Sequence, residues 1–161
     1  WLGHAAPFAF AEDYAPAAGI DRIQCGTPPL LSLLALESAL EVFDGVSTAA
    51  LRAKSMALGD LFIGLADATL DGLGATVASP RDASARGSQV SLTHPSGYAV
   101  MQALIANRII GDFRAPDILR FGLAPLYVRF VDVFDTVDAI GRILRTGEWN
   151  QPSFLSRKAV T

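Results

Sequence analysis

The segment from residue 118 to residue 123 places one charged residue, Arg120, in an otherwise apolar run that is typical of a β-strand. Gly122 and Pro125 lie at its end, so turn residues bound it. An arginine keeps its charge and offers five N–H donors, and it is therefore rarely buried without an anion. A half-buried arginine in a pocket suits a carboxylate ligand, which it can grip through two parallel hydrogen bonds. The alternative is an arginine that pairs with a nearby aspartate and only stabilises the fold.

Helical periodicity recurs three times in the chain after residue 46. Ser47 is expected to cap a helix that extends to about Leu70, because apolar residues there recur every three or four positions: Leu51, Leu58, Phe62 and Leu65. A second helix is predicted from Pro95 to about Asn107, with an inner face of Tyr98, Met101, Leu104 and Ile105. A third, roughly from residue 131 to residue 145, buries Val133, Val137, Ile140 and Leu144.

Four short strands are predicted between these helices, at residues 75–79, 87–93, 109–113 and 118–123. In the second of them Val90 and Leu92 alternate with polar residues, as in a strand that is buried on one side. Antiparallel strands covered on one face by helices predict an α+β domain over residues 46–161.

Residues 1–26 carry prolines and glycines without a sustained period and are expected to form loops with short extended pieces. Thr27 then precedes Pro28 and Pro29 and a leucine-rich run to about Phe43. Threonine is a good N-cap and proline suits the first helical position, so a helix is expected to begin here. Its leucines leave little polar surface, which predicts a helix buried on most sides.

The composition excludes several classes of function. Charged residues make up 18% of the 161, the net charge is −3, and no basic block occurs, so nucleic-acid or membrane-surface binding is not expected. The leucine-rich run is too short and too polar to span a bilayer. His4, Cys25 and His94 are scattered and predict no metal site, and a single cysteine excludes an internal disulfide and fits a cytoplasmic protein. Since the chain opens on Trp1 without an initiator methionine, we expect a C-terminal fragment of a longer protein.

Five motifs and their spacing carry a family resemblance. They are WLGH at 1–4, CGTPP at 25–29, RGSQV at 86–90, HPSGY at 94–98, and the segment that starts with GDFR at 111 and runs to Tyr127. Together they resemble the C-terminal part of the bacterial kynureninase family. The resemblance implies a pyridoxal-phosphate enzyme of the aspartate-aminotransferase-like fold and a homodimer with active sites at the subunit interface. It also implies that residues 1–45 are the tail end of a large α/β cofactor-binding domain with an interface helix, and residues 46–161 a small C-terminal domain.

The resemblance assigns roles to four residues. Trp1 matches a tryptophan whose indole N–H contacts the cofactor phosphate, and Thr27 matches a residue that reaches that phosphate from the neighbouring subunit. Arg120 matches the arginine that binds the substrate α-carboxylate. Gly26 lies where family members differ, and a small residue there resembles the type that prefers kynurenine over its 3-hydroxy form. The plainer alternatives are a packed loop tryptophan for Trp1 and an N-cap for Thr27.

Other reactive residues are expected to have structural roles. Cys25 reads as a small buried residue, not as the nucleophile of a desulfurase, because no base partner is visible. His4 and His94 are expected to pack or cap, since neither belongs to a triad. Arg114 and Tyr127 flank the Arg120 strand and could line a pocket; the alternatives are a surface ion pair and a core tyrosine.

The only lysines in the sequence are Lys54 and Lys158, and neither has the pattern of a buried base. The resemblance implies that the Schiff-base lysine lies upstream, so no catalytic residue is expected here and the fragment alone is expected to be inactive. For the whole protein it implies hydrolysis of L-kynurenine to anthranilate and L-alanine, in tryptophan degradation and NAD biosynthesis. The alternatives are another pyridoxal-phosphate enzyme of the same fold, a desulfurase or an aminotransferase, and a non-enzymatic module that binds an acid or a partner chain.

Overall fold

A computed structural model describes residues 2–156, which fall into two compact units, residues 2–46 and residues 47–156. The first unit has two short 3-10 turns, Pro7–Ala9 and Gly19–Ile23, then helix α1, Leu30–Leu40, and a closing 3-10 turn at Glu41–Phe43. None of the helices formed by residues 2–156 is both long and apolar enough to cross a bilayer.

Two expectations for α1 are wrong. The helix begins after Pro29 and not after Thr27, because two prolines without N–H groups separate the Thr27 hydroxyl from the first helical turn. Every residue of α1 is exposed, Leu31 to 82%, although its composition predicted burial on most sides. Burial depends on what surrounds a helix, and residues 2–46 by themselves supply no partner layer for its leucines.

The second unit contains the remaining helices and all four strands. Its elements in chain order are α2 (Thr48–Thr69), β1 (Thr76–Val77), β2 (Gln89–Thr93), α3 (Gly97–Ala106), β3 (Asp112–Arg114), β4 (Ile118–Gly122), α4 (Phe130–Thr146) and the short α5 (Pro152–Leu155). The strands form one antiparallel sheet in the order β1-β2-β4-β3. This arrangement confirms the predicted α+β class. It corrects one strand, since β3 begins at Asp112 and not at Ile109, and α5 was not predicted.

The core of this unit lies between one face of the sheet and helices α2, α3 and α4. The sheet contributes Val90, Leu92, Leu119 and Phe121, all buried. The helices contribute the predicted stripes, among them Leu58, Phe62, Met101, Leu104, Val133, Val137, Ile140 and Leu144. Ile105 is an exception, because it is 41% exposed and does not belong to the inner face of α3.

Local signals set the ends of two helices. The Ser47 hydroxyl accepts a hydrogen bond from the backbone N–H of Ala50, as predicted for the N-cap of α2. At the start of α4 the Asp132 carboxylate accepts the backbone N–H of Arg129 at 2.7 Å, and at its end Gly147 takes a left-handed conformation with φ +69°. These signals fix the start and the end of α4.

Candidate functional site

The face of the sheet turned away from the core carries the candidate site. Alternation along β4 directs Leu119 and Phe121 into the core and Arg120 to the opposite side. In the sheet register Arg120 lies between Ser91 of β2 and Asp112 of β3. We call this surface the open face; its residues are part-buried or exposed and comprise Gln89, Ser91, Thr93, Asp112, Arg114, Ile118 and Arg120.

Arg120 pairs with Asp112 across the β3–β4 hairpin. Nε of Arg120 donates to Oδ2 of Asp112 at 2.9 Å, and Nη2 donates to the same oxygen. Nε of Arg114 lies 3.0 Å from that oxygen as well. The hydrogen bond from Arg120 is the largest influence that lowers the pKa of Asp112 below its usual range, and the charges of Arg114 and Arg120 lower it further. Asp112 is therefore an ionised acceptor between two arginines.

The ion pair leaves part of the Arg120 guanidinium accessible. Its side chain is 33% exposed, and the bonds to Asp112 use two of its five N–H donors. Arg114 and Arg120 together carry two positive charges against one on Asp112, so the cluster keeps a net positive charge. Such a cluster attracts an anion, and a planar fork with unused donors suits a carboxylate.

The residues assigned to the cofactor lie in the first unit or outside the described part of the chain. Thr27 is exposed, and within residues 2–156 its hydroxyl forms no hydrogen bond, so the N-cap alternative is wrong. Gly26 is exposed too, and a Cβ added there would meet nothing within 4 Å. Trp1 lies outside the described residues.

Lys54 has a structural partner. It lies on α2, part-buried, and its Nζ donates to the backbone carbonyl oxygen of Pro125 at 2.7 Å. A lysine that forms a covalent bond to a cofactor needs a free amine, whereas Lys54 ties α2 to the turn that follows β4. Lys158 lies outside the described residues.

The two histidines have the packing and capping roles predicted for them. In the first unit, Nδ1 of His4 accepts the backbone N–H of Ala6 at 2.8 Å. In the second, Nδ1 of His94 accepts the backbone N–H of Ser96 at 3.0 Å, and its ring meets that of Trp149 edge to face. Both rings are held by local contacts.

Two interpretations of single residues are wrong, and one is confirmed. Cys25 is exposed, not buried, because it lies in the open loop before α1. Tyr127 is 76% exposed and so is not a core tyrosine, since it follows β4 in a turn. Arg114 forms the surface ion pair considered for it, with Asp112.

Sequence reasoning missed Asp112 as the partner of Arg120. The signal was present, because β3 and β4 form a hairpin whose turn contains Pro116, and Asp112 and Arg120 are equally far from that proline. Residues placed symmetrically about a hairpin turn face each other across the two strands. The pair could have been predicted if the hairpin had been recognised from the two separate strands.

A separate cleft of about 320 Å³ lies between the end of β4 and the start of α4. Phe62 and Phe121 contribute to its apolar lining, and Arg108, Asp132 and Asp135 contribute to its polar lining. Arg120 does not line it. Since this cleft lies away from the arginine pair, the open face remains the candidate site.

Comparison with known proteins adds to this picture. Residues 51–140 match the kynureninase C-terminal domain family. The kynureninases of Burkholderia mallei (strain SAVP1) and Burkholderia pseudomallei (strain K96243) are each 48% identical to the chain over 161 residues, and that of Pseudomonas fluorescens is 47% identical. Each match covers 100% of this chain and 39% of the relative, so the chain spans about two fifths of the length of these relatives.

Proposed function

Because the chain belongs to the kynureninase family, we propose that it forms the C-terminal part of an enzyme that hydrolyses L-kynurenine to anthranilate and L-alanine. The observation that carries the proposal is the Arg120 guanidinium on the open face, ion-paired yet one-third exposed. L-kynurenine is an amino acid, and its α-carboxylate is the group that such a fork binds best.

In this proposal Arg120 binds the α-carboxylate and thereby orients the substrate. A carboxylate held at two points cannot rotate freely, so the bond to be cleaved stays in a fixed direction relative to the groups that act on it. Positioning of this kind accounts for a large part of the rate enhancement of many enzymes. Arg120 would also neutralise the negative charge of the α-carboxylate, together with the excess positive charge that Arg114 contributes.

We propose pyridoxal phosphate as the cofactor, which the family resemblance implies. The Thr27 hydroxyl fits a phosphate contact, because it is exposed and is not engaged in capping α1. The indole N–H of Trp1 is proposed as a second donor to the phosphate. When bound, this cofactor accepts the electron pair left at the substrate α-carbon. The lysine that carries the cofactor is proposed to lie outside residues 1–161, which agrees with the engagement of Lys54 by Pro125.

A homodimer is proposed, with α1 as an interface helix. The support is the exposure of its leucines, since contiguous exposed apolar surface usually marks a contact with another chain or domain. In the complete protein, replacing Leu31 with Glu is expected to weaken dimerisation, measured by analytical ultracentrifugation. An unchanged dimer dissociation constant would remove α1 from the interface. The cytoplasmic location and the role in tryptophan degradation stay predictions.

Gly26 is proposed to favour kynurenine over 3-hydroxykynurenine. Gly26 has no positive φ, and a Cβ there would meet nothing within 4 Å among residues 2–156, so a side chain fits without backbone strain. We expect Gly26→Ser to change the ratio of kcat/KM between the two substrates, while the melting temperature stays the same. An unchanged ratio would remove Gly26 from the specificity-determining residues.

The central experiment is Arg120→Ala in the complete protein loaded with pyridoxal phosphate. Charge-assisted hydrogen bonds are worth about 1.5–3 kcal/mol, so kcat/KM for L-kynurenine should fall roughly tenfold to a hundredfold. A fall of less than about threefold, roughly 0.7 kcal/mol, would contradict the assignment. Arg81→Ala is the matched control, because Arg81 forms a similar two-bond pair with Asp67 away from the open face. It should leave kcat/KM unchanged.

A further inference from the structure

We propose that Asp112 is the positioning residue of the carboxylate site: it holds one edge of the Arg120 guanidinium and so directs the other edge toward the substrate. The inference rests on the proposed function, in which Arg120 binds the α-carboxylate of kynurenine. It adds Asp112 to that proposal and assigns the two edges of the Arg120 guanidinium to different partners.

The hydrogen bonds of the pair define the two edges. The N–H groups of Nε and Nη2 form one edge of the planar guanidinium, and both nitrogens donate to Oδ2 of Asp112. The remaining edge is formed by Nη1 and the second N–H of Nη2, and none of the residues 2–156 accepts a hydrogen bond from Nη1. That edge offers two parallel N–H donors, which suit a carboxylate.

Asp112 is itself held in place from two sides. Its backbone is opposite Arg120 in the β3–β4 register, and Arg114 approaches the same carboxylate oxygen at 3.0 Å. A carboxylate between two arginines stays ionised, in keeping with its lowered pKa. Asp112 therefore forms a fixed anchor on the sheet and not a mobile counter-ion.

An anchor is useful because an arginine side chain on an open face is flexible. Fixing such a side chain costs rotamer entropy. With Asp112 in place, the Arg120 side chain loses this entropy when the protein folds, before substrate binds. Without Asp112 the entropy would be lost when substrate binds, which would raise KM. The effect should concern only ligands that carry the carboxylate, since other parts of the substrate do not touch this edge.

The competing interpretation is that the pair only links β3 to β4. A purely structural link would affect all ligands alike, whereas a positioning role depends on the carboxylate. The decarboxylated analogue of L-kynurenine separates the two cases, because it keeps the aromatic ketone and the amine and lacks the group that Arg120 would bind.

The test uses Asp112→Asn in the complete protein loaded with pyridoxal phosphate. We expect KM for L-kynurenine to rise about five- to thirtyfold, kcat to stay within about threefold, and the inhibition constant of the decarboxylated analogue to stay within about twofold. Asp67→Asn is the matched control, because it removes an exposed aspartate–arginine pair of the same unit. It should change none of these constants.

The outcomes separate the two proposals. If Asp112→Asn leaves KM within about twofold while Arg120→Ala raises it, the positioning role is wrong and the assignment of Arg120 stands. If Asp112→Asn weakens both ligands equally, the pair is structural and the inference is overturned. If Arg120→Ala also leaves kcat/KM for L-kynurenine unchanged, the proposed function itself is wrong. Should the Asn variant not fold, Asp112→Glu replaces it: a rise of KM for L-kynurenine alone supports the inference, and no change or an equal change for both ligands overturns it.

Discussion

The guanidinium of Arg86 lies directly against the backbone of Gly59, so that a Cβ on Gly59 would be 2.9 Å from Nε of Arg86. Arg86 is buried, and its remaining nitrogens are engaged: Nη1 donates to the carbonyl oxygen of Pro80 at 2.8 Å and Nη2 to the carboxylate of Asp60 at 2.5 Å. A charged group in this position is held by fixed partners on α2 and on the loop before β2. The close approach requires a residue without a side chain at position 59.

Replacing Gly59 with Ala should therefore destabilise the protein, although alanine is the better helix former. The methyl group would push Arg86 away from its acceptors, and a buried charge with weakened hydrogen bonds costs about 1–3 kcal/mol. Chemical denaturation of the purified protein measures the change in the free energy of unfolding. A stability equal to or above that of the wild type would show that Arg86 can move aside without loss.

Gly64 provides the control on the same helix. A Cβ at Gly64 would meet nothing within 4 Å, and its backbone angles are helical. Gly64→Ala should stabilise the protein by about 0.5–1 kcal/mol through helix propensity alone. If Gly59→Ala lowers the free energy of unfolding and Gly64→Ala raises it, the difference between them is due to the Arg86 contact.

Several elements of the second unit, α4 and β2 among them, could be predicted because their burial follows a local period. Val133, Val137, Ile140 and Leu144 recur at helical spacing, and all four are buried in α4 as expected. Val90 and Leu92 alternate with polar residues and face the core in β2. Where one face of an element packs on the core, the sequence carries the period of that element, so its type and position can be read directly.

Features that depend on non-local partners could not be predicted in this way. The leucines of α1 are exposed because burial depends on neighbours that the helix's own sequence does not specify. The prediction that Thr27 caps α1 is wrong because Pro28 and Pro29 separate Thr27 from the helix start at Leu30. Arg120 was identified from its apolar surroundings, whereas Asp112 required the strand register, which follows from the hairpin turn and not from either strand alone.

The end of α4 depends on the left-handed conformation of Gly147, with φ +69°. A side chain in this region crowds the backbone, so Gly147→Ala should cost roughly 1 kcal/mol in the free energy of unfolding. Gly87→Ala is the matched control, because Gly87 has no positive φ and its Cβ would meet nothing within 4 Å. It should change stability by less than about 0.5 kcal/mol. Equal losses in both variants, measured by chemical denaturation, would contradict the role of the helix end.

His94 is a buried histidine of the second unit. It accepts the backbone N–H of Ser96 through Nδ1, which requires that nitrogen to be unprotonated. Burial is the main cause that lowers the pKa of His94 below its ordinary value of 6.5, and a hydrogen bond with the backbone of Leu73 partly opposes the shift. The folded protein therefore favours the neutral imidazole, and protonation favours the unfolded chain.

We expect the melting temperature to fall as the pH is lowered from about 7.5 to 5, because a depressed folded pKa contributes stability above the unfolded value of 6.5 that is lost as the pH falls through the folded pKa. His94→Asn keeps an acceptor for the N–H of Ser96 and removes the titration, so its melting temperature should depend less steeply on pH, even if it is lower at pH 7.5. Calorimetry at several pH values checks both proteins. Parallel curves for the wild type and His94→Asn would mean that another group controls the loss of stability in acid.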